Sequence, residues 1–392
     1  MIETISTGAE RNGVTADQSS GASQSYPYRP NITDRSRATA NNAYTGATYA
    51  NIYGVRVLLG RTVQNADYLV QGAAYLTVLW CVSLLALVTN GTLAIVRKIT
   101  HDRQRSLSQI LWAMGRNPRH ISSPFVDCFS RYNRWAKTGA ASWQALDLFY
   151  HYRTKIQPQL GNDMEGRLTR FWIERMHNRQ AVTTRLAIAT QLIATELLRY
   201  QEEPVIRIVS IVTGSTEAII QAILQSGVRN VAVIVLDSNA EALGNMRARV
   251  TAAGLDNCFT FVQGTTRRLD ALCLGNPPHI IEMIGFLDYR TDEKAIDLVR
   301  TIHDGLAPGG IFFTGNIHPN PERIFLDWVL LWPMCYRTAD QLSNLLITGD
   351  FMPQNIQLHY EPFQIHGIAA CRKSLLNQNN NDLRPIWHKV CC

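Results

Sequence analysis

Apolar positions fall into three regimes along this 392-residue chain. From Met1 to about Asn51 the sequence is rich in Ser, Thr, Asn, Gly and Ala and shows no apolar period. Such a segment cannot bury enough surface to offset its ordering entropy, so residues 1–51 are predicted to be a disordered tail. The tail has no basic stretch followed by an apolar core, which argues against a cleaved signal peptide. From Tyr68 to Val96 there is no charged residue, and Ala73 to Val88 is almost continuously apolar. About 20 residues rising 1.5 Å each match a bilayer's hydrocarbon thickness. Region 52–100 is therefore read as holding a transmembrane helix at 72–96, with a buried core helix as the alternative.

Residues 101–203 read as helices with breaks at Asn117-Pro118, Gly139 and Pro158 to Gly161. The clearest helix carries Val182, Leu186, Ile188, Leu192, Ile193, Leu197 and Leu198 at helical spacing, before Glu202-Glu203-Pro204 stops it. Beyond Pro204 the pattern changes to short β-branched runs alternating with helices. Strands are predicted at Ile206 to Val212, Val231 to Leu236, Phe259 to Val262, His279 to Met283, Ile311 to Thr314, Ile356 to Tyr360 and Ile365 to Arg372. Helices between the first five imply parallel crossovers, while the close spacing of the last two implies a terminal hairpin with one antiparallel strand. The expected fold is thus α/β: a seven-stranded, mostly parallel sheet over 204–375, preceded by a helical region and followed by a tail at 376–392.

The charge is unevenly placed. Arg97 to Tyr200 holds 17 basic and 7 acidic residues, more excess than the whole-chain +7. A basic region directly after an apolar span suits an anionic membrane surface, with a solvated helix face as the plain alternative and nucleic acid as the minor one. Arg97, Lys98, Arg103 and Arg105 flank the span, so the positive-inside tendency places everything after Arg97 in the cytoplasm, either as a single-pass protein or, without the span, as a soluble one. Aromatic and Arg residues interleave at Arg131 to Trp135, Phe149 to Arg153 and Phe171 to Arg175, which on amphipathic helices reads as aromatics inward and Arg outward. The eight cysteines show no paired C-x-x-C, so neither a structural metal nor a disulfide framework is expected.

Ligands of an open α/β sheet bind at the carboxyl ends of its strands. Strand 206–212 turns directly into a helix through Thr213, Gly214, Ser215 and Thr216, where a glycine allows close backbone approach and the helix N-terminus offers free amides. The next strand ends at Asp237, where a carboxylate can accept both ribose hydroxyls, with an N-cap by Asp237 or Ser238 as the competing role. These features, together with Pro277 to Tyr289, Leu306-Ala307-Pro308-Gly309-Gly310 and the closing hairpin, resemble the class I S-adenosylmethionine-dependent methyltransferases; Asn178 to Leu186, Gly285 to Tyr289 and Thr314 to Arg323 are similar to a bacterial subgroup of that family.

The resemblance implies a Rossmann-like fold and S-adenosylmethionine as cofactor. It implies a glycine-rich turn at Ser210, Thr213, Gly214 and Ser215, a ribose acid at Asp237 beside Ser238, an adenine-side loop at Gly264 and Thr265, and a fourth-strand loop carrying Glu282, Gly285, Asp288 and Tyr289. Asp288, Tyr289 and His318 are the catalytic candidates, with Asn316 as a hydrogen-bonding group. The family usually has an acid where Ser210 stands and glycines where Val212 and Thr216 stand. The implied activity is methyl transfer to a small molecule or lipid, with apolar Trp328 to Trp332 and Tyr336-Arg337 at the substrate lid. A membrane-tethered relative without activity and a nicotinamide-dependent oxidoreductase are the alternatives.

Overall fold

The computed structural model describes residues 48–60, 66–100, 126–211 and 215–375. One nine-stranded sheet organises the chain: β1 (Thr48–Ile52), β2 (Val55–Leu59), β3 (Ile206–Ile211), β4 (Val231–Asp237), β5 (Phe259–Gln263), β6 (Ile280–Ile284), β7 (Ile311–Ile317), β8 (Ile356–Tyr360) and β9 (His366–Arg372). Their order is β1-β2-β8-β9-β7-β6-β3-β4-β5. Counted from β3, the order is sixth, seventh, fifth, fourth, first, second, third. The β3 to β7 portion is parallel, and β9 runs antiparallel between β7 and β8. This is the Rossmann-like arrangement of the class I methyltransferase fold.

All seven predicted strands are present within a few residues of their expected ends. They were legible because both sheet faces are covered, so the strands read as continuous apolar runs. Alternate side chains divide between two cores: Ile208, Ile280 and Phe313 face one, while Val209, Ile281 and Phe312 face the other. The turn at Leu306 to Gly310 sets up β7. Gly309 holds φ +75, and Gly310 N donates to Ala307 O at 2.8 Å.

Two strands extend the predicted seven. Thr48–Asn51, read from sequence as the end of a disordered tail, belong to β1, and β2 lies in the region assigned to the span. Tyr53 and Gly54 connect them with φ of +53 and +85, the positive-φ pattern of a two-residue hairpin turn. The hairpin is ordered by tertiary pairing: β2 runs parallel to β8, with Val57 opposite Leu358. Residues 1–47, 101–125 and 376–392 lie outside the described residues, including Asn117-Pro118.

The first helix, α1 (Ala66–Thr100), contains the apolar window Gly72–Thr89, with mean hydropathy 1.9 and 18% of it buried. It is long and apolar enough to cross a membrane. Tyr75, Leu79 and Ser83, spaced by four, are buried, and Tyr75 packs edge-on against Phe171 and Trp172. Val78, Leu84, Leu85, Val88 and Ile95 remain exposed.

The helical region comprises α2 (Arg131–Thr138), α3 (Trp143–Tyr150), α4 (Met164–Thr169) and α5 (His177–Arg199). Gly139 ends α2, as its sequence position suggests. Phe149, Tyr152 and Trp172 are buried while Arg131, Arg134, Arg153 and Arg175 are exposed, the inward and outward division expected of these segments; Trp135 is the exception at 44% exposed. This region shares a core with Phe325, Leu330 and Trp332, so it is continuous with the Rossmann-like unit. The start of α5 is held from there as well. Glu322 accepts from His177 N at 2.9 Å and Asn178 N at 2.8 Å, satisfying amides a helix cannot pair itself.

Candidate functional site

The helices α6 (Glu217–Ser226) and α7 (Ala240–Ala252) follow β3 and β4. At the carboxyl ends of these strands and of β6, a cleft of about 340 Å³ opens beneath the helical region, within the range of small-molecule sites. Its floor includes Asp237, Ser238, Gly285, Asp288 and His366. Its roof is formed by Trp143 and Leu146 of α3, Val182 and Arg185 of α5, and Trp332 and Met334 from the segment after β7.

Asp237 is 5% exposed, and its Oδ1 accepts from Asn239 N at 2.9 Å. Burial raises its pKa against these local backbone bonds. The cap of α7 is neither Asp237 nor Ser238: Asn239 accepts from Glu241 N and Ala242 N. Asp237 is thus released from capping and lines the cleft. Gly264 N donates to Asp237 O at 2.9 Å, which sets Gly264 and exposed Thr265 beside the end of β4.

Thr213 and Gly214, like Val212, lie outside the described residues. Ser215 and Thr216 border a small pocket at the start of α6. Thr216 adopts φ +50, the left-handed region that costs a β-branched residue roughly 1–2 kcal/mol, at one of the positions where the family usually has glycine. Ser210 Oγ donates to Glu282 Oε2 at 2.9 Å across adjacent strands, and Glu282 Oε1 accepts from Ile284 N at 3.1 Å. Burial moves the Glu282 carboxyl up to about 7, against these hydrogen bonds and nearby Arg185.

Asp288 is buried, and burial lifts its carboxyl to about 6 despite the Arg185 charge and a 2.7 Å bond from Ile317 N. Tyr289 is 39% exposed as a residue, while its hydroxyl accepts from Trp332 Nε1 at 2.6 Å. Burial, reinforced by Asp288, raises its pKa. Asp288 and Tyr289 are therefore brought together in the cleft. His318 is not: it is absent from the cleft lining, with Nδ1 2.9 Å from Pro319 O and its ring edge-on to Tyr360. Asn316 is occupied structurally, donating to Ile317 O and Cys335 O and accepting from buried Arg337.

Two cleft residues were not singled out from the sequence as site candidates: Arg185, within the Asn178 to Leu186 segment that carries the resemblance, and His366. Arg185 Nη1 lies 3.3 Å from His366 Nδ1. A guanidinium can only donate, so Nδ1 accepts and the imidazole proton sits on Nε2. That atom has no hydrogen-bond partner among the described residues, and burial with Arg185 nearby drives the His366 pKa well below its ordinary value. His366 is hence a neutral donor. Among the described residues no group of His, Cys, Asp and Glu is arranged to hold a metal ion.

No family model matches the sequence, and no curated protein matches it. Solved structures do. A possible exported protein from Bordetella parapertussis is 16% identical over 74% of this chain and 97% of its own, with a TM-score of 0.51. The N,N-8-amino-8-demethyl-D-riboflavin dimethyltransferase of Streptomyces davawensis is 15% identical over 80% of this chain and 100% of its own, at 0.38. Human N-acetylserotonin methyltransferase, solved in complex with SAM, is 14% identical over 70% and 72%, at 0.37. At such identities the likeness of the first speaks to the fold alone.

Proposed function

We propose that the chain is an S-adenosylmethionine-dependent methyltransferase acting on a flat, partly apolar small molecule. The observation that carries this reading is the sheet: antiparallel β9 inserted between β7 and β8, with Asp237 turned into a covered cleft at the end of β4. A dinucleotide-binding Rossmann sheet repeats its parallel mononucleotide unit on the far side, where this sheet has a reversed strand. That difference disfavours the oxidoreductase.

The residues fit the cofactor. Asp237 would take the ribose hydroxyls, Ser238 with Gly264 and Thr265 would flank the adenine, and Ser215 with the start of α6, Ser210, Glu282 and Gly285 would border the methionine end. Thr213 and Gly214 lie outside the described residues, and the turn role proposed for them rests on the sequence. Bound there, the cofactor supplies an electrophilic sulfonium methyl. Trp143, Tyr289 and Trp332 offer aromatic surface for the acceptor beneath the roof. Asp288, ionised above about 6, is placed to receive the acceptor's proton. His366, in place of His318, donates a hydrogen bond. Incubating the full chain with methyl-labelled S-adenosylmethionine and a panel of aromatic alcohols and amines tests the activity. Label in an organic product, lost on Asp288→Asn substitution, is expected; no transfer to any acceptor refutes it.

The exposed apolar side of α1 supports membrane association as part of this reading. The docking of Tyr75, Leu79 and Ser83 against the domain means that the first half of the helix contacts protein along one stripe.

A further inference from the structure

A second concave site lies outside the cleft. Leu146 of α3 lines the cleft, whereas its neighbours Asp147 and Leu148 line a separate groove of about 600 Å³ that also borders α2 and the helical turn Tyr152–Ile156. The two spaces have no lining residue in common. The groove gathers the interleaved run from Arg131 to Trp135, all of which lines it except Asn133.

Trp135 is the one aromatic of the three interleaved runs that is left exposed, and its ring pairs with no other ring and no cation among the described residues. Buried Leu148 and Ile156 add apolar wall in the same space. The cations there divide into spent and unspent. Arg131 is engaged by Glu165 and lies over the Tyr132 ring. Arg134 Nη2 donates to the carbonyl oxygens of Asp127 and Cys128 at 3.5 and 3.1 Å, which orients the guanidinium without neutralising it. Neither Arg134 nor Lys155 forms an ion pair among the described residues, and Asp147, the acidic residue of the lining, is taken by Arg249.

His151 adds a directed donor. Its Nε2 lies 2.9 Å from Arg249 Nη1, which can only donate, so Nε2 accepts and the ring proton sits on Nδ1. Burial, Lys155 and Arg249 favour this neutral ring by lowering the His151 pKa. Nδ1 has no hydrogen-bond partner among the described residues.

We propose that the groove binds a small aromatic phosphate monoester, its ring on Trp135 and its phosphate held by Arg134, Lys155 and the Nδ1 proton of His151. Two unopposed charges match a dianion, and three donors match its three free oxygens. The volume is that of a small-molecule site, and polar groups converging on an apolar recess are what such sites use for orientation. A lipid surface or a second copy of the chain would be met on a flat or protruding face, and these cations line a recess.

The test is calorimetry on the full chain with 2-naphthyl phosphate, inorganic phosphate and 2-naphthol. The first should bind saturably at one site per chain, and the other two at least about tenfold more weakly, since each carries half of the recognised chemistry. Arg134→Met and Lys155→Met should each weaken 2-naphthyl phosphate by about tenfold, the scale of one charge-assisted hydrogen bond, and Trp135→Ala by a similar factor through lost stacking. All three side chains are exposed, so Tm should stay within about 2 °C. Lys294→Met, which removes an exposed charge outside the groove, should leave the affinity within about twofold. Equal affinity for 2-naphthol and its phosphate, or a phosphate affinity that all three groove substitutions leave unchanged, overturns the proposal. Where 2-naphthyl phosphate fails to bind, a groove substitution that abolishes retention on phosphatidylserine vesicles or single-stranded RNA, or that dissociates a dimer in sedimentation, assigns the face to a macromolecular partner and overturns it as well.

Discussion

Arg249 of α7 fastens the helical region to the Rossmann-like unit, and its removal has a pH signature. Its Nη1 donates to Glu217 Oε2 and to His151 Nε2, each at 2.9 Å, and Nη2 pairs with Asp147. The Arg249 and Asp147 side chains are 16% and 21% exposed and that of Glu217 only 4%, so Arg249→Met strands two largely desolvated carboxylates. Breaking a fully buried pair costs about 3–5 kcal/mol; partial exposure here brings the expected loss to about 3 kcal/mol, or roughly 6–12 °C in Tm at about 2–4 °C per kcal/mol. In the wild type, burial, Lys155 and Arg249 hold the His151 pKa below its ordinary value. A histidine whose folded pKa is depressed below its unfolded value withdraws stability as pH falls below about 6.5. Without Arg249, Asp147 and Glu217 favour imidazolium, the folded pKa rises, and that withdrawal diminishes or reverses. The deficit of Arg249→Met should therefore be largest near pH 8 and smaller near pH 5.5. Urea unfolding of both proteins at the two pH values measures this. A deficit below about 1 kcal/mol at pH 8, or one unchanged at pH 5.5, would refute the staple.

Two further outcomes follow from the geometry. Asp237→Ala should weaken S-adenosylhomocysteine and 5′-methylthioadenosine alike by about tenfold or more, because both ligands share the ribose; calorimetry showing wild-type affinity would remove Asp237 from the site. Leu84→Glu with Val88→Glu should move the protein from the membrane to the soluble fraction on cell fractionation with little change in Tm, since both side chains are exposed; an unchanged distribution would show that this face does not meet lipid.

The legible parts of the sequence were those where one local pattern had one physical solution. Runs such as Val231 to Leu236 and Ile311 to Thr314 could be buried only as central strands, and the Leu306 to Gly310 turn fixed where β7 starts. The β1–β2 hairpin was illegible because its strands alternate weakly and gain their order from β8, some 300 residues away. Asp237 could be singled out because its place at a strand end is a local property. Arg185 could not: a lone arginine on an amphipathic helix reads as a solvated face, and only its meeting with His366, 181 residues on, shows that it is inside. The same register argument separates the two histidines near the end of β7. Ile317 pairs with His366, which brings the latter to the cleft while His318 turns to Pro319 and Tyr360.

The central claim, that the cleft is built for an adenosine bearing an amino-acid end, is tested most directly by titrating the full-length chain with S-adenosylhomocysteine and, separately, with NAD. Saturable binding of S-adenosylhomocysteine at micromolar concentration, with NAD failing to bind or to compete, is the expected result. Binding of NAD with no heat from S-adenosylhomocysteine at millimolar concentration would contradict it.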